Sequence, residues 1–352
     1  MIDVLTKEAI ALLTDLISIE SFSRNENKTG DRIENWFKNK NIPYKRVKNN
    51  IWGLNKYYNE NKPTLLLNSH HDTVKPNSSY TKDPFKPEIV KDKLYGLGSN
   101  DAGGALVSLL AIFAFYHEKK DLKYNLIIAA TAEEEIAGEN SLRGLLEYLP
   151  NIDIAIIGEP TEMHMAIAEK GLIVFDGIIT GKASHAAHFN NNSAIMKLPF
   201  VLNWFKNFKF EKQSNLLGPV KITVTQVKAG NEHNVIPGEV NFTVDVRVND
   251  MYKNKEIADI IVSNAPCKLT PRSLKLEASS ISINHELVKS GIKIGRKTYG
   301  SPTLSDQAAL DCPSLKMGPG LSTRSHTANE FIYLEEIKEG IKIYIKLLDN
   351  II

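Results

Sequence analysis

The order of apolar and polar residues in the first half of the chain predicts helices and buried strands in alternation. Residues 4–18 repeat apolar side chains at near-helical spacing, which predicts an amphipathic helix. A long helix is predicted from Gly104 to about His117. Short apolar runs predict buried strands that begin at Thr64, Asn125 and Ile152. Strands that alternate with helices favour a layered α/β domain with a mainly parallel sheet.

The pattern changes after Lys170, where apolar and polar residues begin to alternate one by one. Such segments are typical of an antiparallel sheet with one face on solvent, and they begin at Leu172, Val220 and Val240. Helices are predicted between them, near 193–207 and 250–263. We therefore expect a small α+β domain at 171–280, inserted into a discontinuous larger domain formed by 1–170 and 281–352.

Composition narrows the classes of function. The chain has 352 residues, enough for two domains, and its 42% hydrophobic and 24% charged residues are typical of a globular protein. Lys and Arg total 43 against 41 Asp and Glu, and no long block of one charge occurs. We therefore do not expect a nucleic-acid partner, and we expect a small-molecule ligand.

Cysteine content and the apolar segments bear on the compartment. Two cysteines, Cys267 and Cys312, cannot form a disulfide framework or a thiolate metal site on their own. The first residues are charged where a signal peptide would be apolar, and the longest apolar stretch, Ala102–Tyr116, is too short to cross a bilayer. The expectation is a cytoplasmic protein without a membrane segment.

Polar clusters follow the predicted strands of the first half. Asn68-Ser69-His70-His71-Asp72 ends the first strand, Thr131-Ala132-Glu133-Glu134-Glu135 the second, and Gly158-Glu159 the third. A further loop with Asp101 precedes the long helix. Ligands bind beyond the carboxyl ends of strands in an open α/β sheet, and so many carboxylates at one edge require a counter-charge such as a divalent cation.

Each cluster alone also has a structural interpretation. A His-x-Asp segment is commonly a surface turn, three glutamates commonly begin a helix, and Glu159 can cap the turn at Pro160. The loop around Gly96 and Gly98 offers another alternative, because two glycines before a helix resemble a dinucleotide fingerprint. The third glycine position is Asp101, whose charge opposes a pyrophosphate, so nucleotide binding is disfavoured.

The set of motifs resembles the dinuclear zinc amidohydrolases that include acetylornithine deacetylase, succinyl-diaminopimelate desuccinylase and the G-type carboxypeptidases. The resemblance covers nearly the whole chain and is closest to acetylornithine deacetylase. It is carried, in order, by Ser69-His70-His71-Asp72-Thr73-Val74, Gly98-Ser99-Asn100-Asp101, Thr131-Ala132-Glu133-Glu134-Glu135, Gly158-Glu159-Pro160-Thr161, Gly181-Lys182-Ala183-Ser184-His185-Ala186-Ala187, Asn234-Val235-Ile236-Pro237 and Ser325-His326-Thr327.

The resemblance implies two divalent metal ions, zinc or cobalt, bridged by Asp101. One would also be held by His70 and Glu159, and the other by Glu135 and His326. Asp72 would fix the orientation of the His70 imidazole, while His71 would be structural. Glu134 would act as the general base that takes a proton from water and passes it to the leaving amine. A slip by one residue, with Glu133 as base and Glu134 as ligand, stays open.

The inserted segment resembles the family's ferredoxin-like lid, which also mediates dimerisation, so a homodimer is expected. His185 matches a histidine that donates to the oxyanion from the partner subunit, with His188 as its competitor. Asn234 and Arg247 match positions that bind substrate, although Arg247 could instead form a cross-strand surface pair. Gly320 belongs to a loop, Gly318 to Ser322, that resembles a substrate-contacting loop near the second metal.

The expected function is metal-dependent hydrolysis of an N-acylated amino acid, with N-acetylornithine in arginine biosynthesis as the first choice. Acetylcitrulline, succinylornithine, succinyl-diaminopimelate, a dipeptide or a carrier-linked amino acid are rival substrates within the class. A non-catalytic amino-acid-binding homologue is the alternative from another class, and the complete ligand set argues against it.

Overall fold

The structure is a computed structural model that describes residues 1–352 and divides into two compact units. The large unit comprises Met1–Ile167, Ser280–Tyr299 and Ser305–Ile352, and the small unit comprises Ala168–Ser279 and Gly300–Leu304. The structure places Gly300–Leu304 in the small unit, whereas the sequence prediction placed this segment in the larger domain. One bond that ties it to the small unit is donated by Lys170 N to Ser301 O, at 3.2 Å.

Eight helices and eighteen strands form the secondary structure. The helices are α1 (Ile2–Ile17), α2 (Asn27–Asn39), α3 (Gly104–Tyr116), α4 (Leu142–Leu145), α5 (Ala194–Asn207), α6 (Asn254–Asn264), α7 (Glu286–Lys293) and α8 (Leu334–Leu348). The strands are β1 (Lys45–Val47), β2 (Asn50–Leu54), β3 (Thr64–His70), β4 (Glu88–Val90), β5 (Lys93–Tyr95), β6 (Asn125–Thr131), β7 (Ile154–Ile157), β8 (Met165–Glu169), β9 (Gly171–Thr180), β10 (Ser184–His185), β11 (Lys221–Lys228), β12 (Val235–Ile236), β13 (Glu239–Val248), β14 (Lys268–Pro271), β15 (Ser279–Ser280), β16 (Thr298–Ser301), β17 (Ser314–Lys316) and β18 (Phe331–Tyr333).

The central sheet of the large unit is mixed, with a parallel middle. Its strand order runs β1-β2-β6-β3-β7-β17-β8. Strand β3 pairs in parallel with both β6 and β7, and β17 pairs in parallel with β7. Strands β1, β2 and β8 join antiparallel at the flanks. The four parallel strands therefore end at the same edge of the sheet.

Both faces of this sheet are covered, which explains why its strands read as continuous apolar runs. In β3, Leu65 and Leu67 belong to the core cluster that also holds α1, α3 and α8, while Leu66 belongs to a separate cluster with Trp52 and Leu142. Alternate residues of one strand thus pack into two different cores. Helix α3 is buried along almost its whole length, so it shows no polar face.

The small unit is built on a four-stranded antiparallel sheet in the order β11-β13-β9-β14. Its chain order, β9-α5-β11-β13-α6-β14, is the ferredoxin-like arrangement of two split βαβ units. Alternate residues of β13, from Val240 to Val248, pack with α5 and α6 in one core. The predicted fold class, a layered α/β domain with a mixed sheet plus an α+β domain, is confirmed.

One segment, Ser99–Tyr116, is apolar and long enough to cross a membrane by length and composition, and 83% of it is buried inside the protein. It contains α3, around which α1 and α8 pack in the same core cluster. Its apolar character is therefore accounted for by the protein core. The sequence did not predict α2 or the small sheet β18-β5-β4, whose strands have only three residues each.

Candidate metal centre

The predicted metal-ligating side chains of the large unit meet at the edge where its parallel strands end. His70 is the last residue of β3, Glu134 and Glu135 follow β6, and Glu159 follows β7. The loop after β17 brings Gly320 toward Asn100, because Leu321 N donates to Asn100 Oδ1 at 3.0 Å. The topology, rather than nearness in sequence, assembles this cluster.

Asp101 lies between two histidines and faces each with a different oxygen. Its Oδ1 is 3.3 Å from His70 Nε2, and its Oδ2 is 3.6 Å from His326 Nε2. Glu159 Oε1 lies 3.7 Å from the same nitrogen of His70, and Glu135 Oε2 lies 3.0 Å from His326 Nε2. Two triads that share Asp101 result, and within each triad the ligand atoms lie within 4.8 Å of one another.

These triads fit divalent cations by their spacing and by the state of His70. Ligands bound tetrahedrally to zinc at 2.0–2.2 Å stand about 3.3–3.6 Å apart, close to the separations found here. His70 is 1% exposed, yet its Nε2 has no hydrogen-bond partner. Buried polar atoms are seldom left unpaired, so an unpaired imidazole nitrogen among carboxylates is suited to a cation.

Asp72 orients His70 and also holds the loop after β6. The other nitrogen of His70, Nδ1, donates to the backbone carbonyl of Asp72 at 2.9 Å, with the Asp72 carboxylate 3.4 Å away. This leaves Nε2 as the nitrogen with the free lone pair. Asp72 Oδ1 and Oδ2 accept from the backbone N–H groups of Glu134 and Glu135, at 3.1 and 3.2 Å. Ser23 Oγ donates to the same carboxylate at 2.7 Å.

The three consecutive glutamates have three different environments. Glu133 adopts φ 54°, and its buried carboxylate accepts from Asn140 Nδ2 at 2.7 Å and Asn140 N at 3.3 Å. Glu134 places Oε2 at 3.9 Å from His70 Nε2, whereas Glu135 contacts His326. The left-handed turn at Glu133 thus directs its side chain to Asn140, while the next two face the triads.

Charge repulsion shapes the protonation of the cluster. Burial, together with the carboxylates of Glu159 and Asp306, raises the pKa of Glu134 well above its usual value. Burial and the neighbouring Asp101 raise the pKa of Glu159 to about 8. Burial disfavours the imidazolium of His70, but the Asp101 and Asp72 carboxylates outweigh it and raise that pKa. Besides burial, neighbouring carboxylates act on all three groups, and cations bound among them would offset this negative charge.

His326 completes the second triad from the most exposed position. Its side chain is 53% exposed, and it adopts φ 60° in a loop between β17 and β18. The hydrogen bond to Glu135 raises the pKa of His326 to about 9. The second triad is therefore the more open of the two to solvent.

His71 faces away from the triads. It is 6% exposed, its Nε2–H donates to Asn49 O at 2.9 Å, and Thr29 Oγ1 lies 2.9 Å from Nδ1. Burial lowers the pKa of His71 to about 4, so the ring is neutral near pH 7. This matches the structural role expected for it.

Three predicted site residues belong to the small unit. His185, on β10, and Asn234, beside β12, are exposed, and Ala186 N donates to Asn234 O at 2.9 Å. His188 lies with its ring centroid 5.8 Å from that of His185. Arg247 pairs with Asp245, two residues earlier on the same strand, through bonds of 2.9 and 3.0 Å. Its ion pair is therefore formed along the strand, unlike the cross-strand pair that we considered as the alternative.

Sequence reasoning missed several buried charged residues in and behind the site. Glu330 is 2% exposed and accepts backbone N–H groups of the Asp101 loop, and Glu26 accepts Glu133 N at 3.2 Å. Buried Asp306 and Lys316 act electrostatically on Glu134 and Glu159. A glutamate four residues after His326 was visible in sequence, but only the fold shows what it contacts.

Comparisons with known proteins agree with this site. Residues 66–350 match the model of peptidase family M20/M25/M40, so the chain belongs to that family. It is 27% identical to a succinyl-diaminopimelate desuccinylase of Orientia tsutsugamushi (strain Ikeda), covering 97% of this chain and 96% of that protein. It is 26% identical to an acetylornithine deacetylase of Buchnera aphidicola (subsp. Schizaphis graminum), covering 97% of each.

A solved structure shares the fold. The YXEP protein of Bacillus subtilis, described as a dinuclear metal binding peptidase from the M20 family, aligns with a TM-score of 0.72 over 98% of each chain at 15% identity. The predicted family and the predicted class of enzyme, a hydrolase of amide bonds, are confirmed by the family match and by these relatives.

Proposed function

We propose that this protein hydrolyses the amide bond of an N-acylated amino acid with two divalent metal ions. The observation that carries the proposal is the position of Asp101, which turns one carboxylate oxygen to His70 and the other to His326. A carboxylate that bridges two cations would take this arrangement, with one oxygen for each. His70 and Glu159 would complete one position, and Glu135 and His326 the other.

Zinc suits the nitrogen and oxygen donors, and cobalt is an alternative with the same ligands. Cations bound there would lower the pKa of a water molecule and polarise the acyl carbonyl. Glu134 would accept the proton of the attacking water and return it to the amine that leaves. Its carboxylate is 13% exposed and lies beside His70 without a place in either triad, which leaves it available for proton transfer.

N-Acetylornithine is our first proposed substrate, which would place the enzyme in the cytoplasm and in arginine biosynthesis. Succinyl-diaminopimelate is a second candidate, because curated relatives at 25–27% identity over almost the whole chain carry the desuccinylase name. Both substrates present a carboxylate next to the cleaved amide. Arg247 would bind such a carboxylate, since the pair with Asp245 holds its guanidinium in place.

We further infer a homodimer formed through the small unit, in which His185 would donate to the oxyanion and Asn234 would contact substrate. Large apolar side chains are exposed on and next to α5 of this unit. Phe189 is 94% exposed, Met196 76% and Phe200 68%. Met196 and Phe200 are one helical turn apart on α5, and large exposed apolar side chains grouped on one face commonly mark a protein interface.

The decisive experiment joins metal analysis to a substrate panel. The purified chain would be stripped of metal, reconstituted with zinc or cobalt, and assayed on N-acetylornithine, acetylcitrulline, succinylornithine, succinyl-diaminopimelate and simple dipeptides. We expect two metal equivalents per chain and the highest kcat/KM on an N-acyl amino acid. Cleavage of dipeptides alone would exclude the deacylase, and no bound metal after reconstitution would favour a non-catalytic binding protein.

A further inference from the structure

One buried side chain, Glu330, accepts hydrogen bonds from the backbone of the loop that carries Asp101. Glu330 is 2% exposed. Its Oε1 accepts from Asn100 N at 2.8 Å and Asp101 N at 2.9 Å, and its Oε2 accepts from Gly98 N at 3.1 Å. Three backbone donors within four residues are thus bound to one side chain.

A carboxylate is well suited to this position. The loop turns through Gly98 at φ 75°, and the N–H groups of Gly98, Asn100 and Asp101 bond to the Glu330 side chain instead of to a neighbouring strand. A carboxylate has two acceptor oxygens, and here one meets Asn100 N and Asp101 N while the other meets Gly98 N. An amide has only one acceptor oxygen and puts an NH2 donor in place of the second. Glu330 therefore fixes the backbone on which Asp101 stands.

The same segment also carries a ligand of the second triad. His326 lies four residues before Glu330, and Asn329 Oδ1 between them accepts from Thr81 N and Lys82 N at 3.0 and 2.9 Å. The backbone carbonyl of Glu330 accepts from Gly96 N at 3.0 Å. The bonds of Asn329 hold this segment to residues 81 and 82, and the bonds of Glu330 hold it to the loop with Asp101.

We propose that Glu330 is a positioning residue that sets the place of Asp101 and thereby the affinity of both metal positions at once. The inference rests on the proposed function, because it assumes that Asp101 bridges two cations. Glu330 contributes no ligand atom to either triad; it bonds to the backbone of the Asp101 loop, and its carboxylate also interacts electrostatically with Asp101 and His326. Its loss is expected to weaken both positions, since Asp101 belongs to both triads.

Glu26 supplies a matched control. It is also buried, at 0% exposure, and also accepts three donors, namely Arg24 N at 2.6 Å, Asn49 Nδ2 at 2.9 Å and Glu133 N at 3.2 Å. None of these donors belongs to a metal-ligating residue. Glu26→Gln and Glu330→Gln therefore share the general cost of replacing a buried carboxylate by an amide. Only Glu330→Gln also removes an acceptor from Asp101 N or its neighbours.

The test compares the two variants with wild type by zinc titration of the metal-free chains against a competing chelator, together with their thermal unfolding. We expect both variants to unfold at lower temperature than wild type. Glu330→Gln should weaken both zinc equivalents by about 10–100-fold, the range for residues that orient metal ligands, and Glu26→Gln by less than about threefold.

The outcomes separate this inference from the proposed function. Two zinc equivalents bound with wild-type affinity by Glu330→Gln, or an equal loss in Glu26→Gln, would overturn the role of Glu330 while the metal centre stands. Failure of wild type to bind two equivalents would overturn the proposed function itself. If Glu330→Gln does not fold, Glu330→Asp is titrated instead, because it keeps the charge but withdraws it by one methylene. A loss at both positions then supports the inference, and wild-type affinity refutes it.

Discussion

Replacing Glu133, Glu134 and Glu135 one at a time by glutamine should give three different phenotypes. Glutamine keeps the size of each side chain and removes its charge, so differences among the variants report on environment rather than packing. The structure assigns the three side chains to Asn140, to the neighbourhood of His70 and to His326. The series tests that assignment at single-residue resolution.

The expected magnitudes follow from these contacts. In Glu133→Gln the amide oxygen can still accept from Asn140 Nδ2 at 2.7 Å, and the weaker bond from Asn140 N at 3.3 Å is lost. The free energy of unfolding should fall by about 1 kcal/mol with little change in kcat. Glu134→Gln should keep both metals and lose about 10²–10⁴-fold in kcat, the usual contribution of a general base.

Glu135→Gln should bind one metal equivalent rather than two, because a neutral amide replaces the carboxylate that faces His326. The assay is metal content after gel filtration, kcat at saturating metal, and thermal unfolding of the metal-free chain. The reasoning is refuted if Glu133→Gln loses kcat while Glu134→Gln loses a metal. That result would make Glu133 the general base and Glu134 the metal ligand.

Three further changes probe other parts of the molecule. Asp72→Asn loses an acceptor for Glu134 N or Glu135 N, so zinc affinity should fall by about 10–100-fold. Ser23→Ala is its control: it removes another hydrogen bond to the same carboxylate, and zinc affinity should stay unchanged. The folded pKa of His71 is depressed to about 4, so the unfolded chain takes up more protons at this site below pH 6.5. Between pH 7.5 and pH 5, metal-free wild type should lose about 2 kcal/mol relative to a His71→Asn variant in urea titrations, because the other titrating groups are common to both chains. The same pH dependence in both chains would contradict this. Phe200→Asp on the exposed face of α5 should yield a monomer by light scattering, and an unchanged mass would place the interface elsewhere.

Much of the fold follows from periodicity that is visible in the sequence. Leu65–Leu67 and Leu126–Ala130 are continuous apolar runs because both faces of their sheet are buried. Glu239–Val248 alternates because one face of its sheet carries polar residues such as Arg247. Strands of three residues, such as Lys93–Tyr95, are too short to show any period. They were therefore not predicted.

The sequence predicts the positions of site residues that directly follow strands. It does not predict positions that depend on hydrogen bonds between residues far apart in the chain. His70 and Glu159 follow strands that pair in parallel, so their proximity follows from topology. The sequence alone does not decide which of the three glutamates faces the metal positions, because their directions depend on the positive φ of Glu133. The contacts of Glu26 and Glu330 span 107 and 229 residues, and no local pattern encodes them.

These long-range contacts have a consequence for the order in which the metal positions are completed during synthesis. Glu26 comes from the first tenth of the polypeptide, while His326 and Glu330 come from the last tenth. A nascent chain made as far as Glu159 carries the three residues of the first triad, but neither the histidine of the second triad nor the carboxylate that holds the Asp101 backbone. The second cation position is therefore complete only after residue 330 has been made and its segment has folded back onto the Asp101 loop.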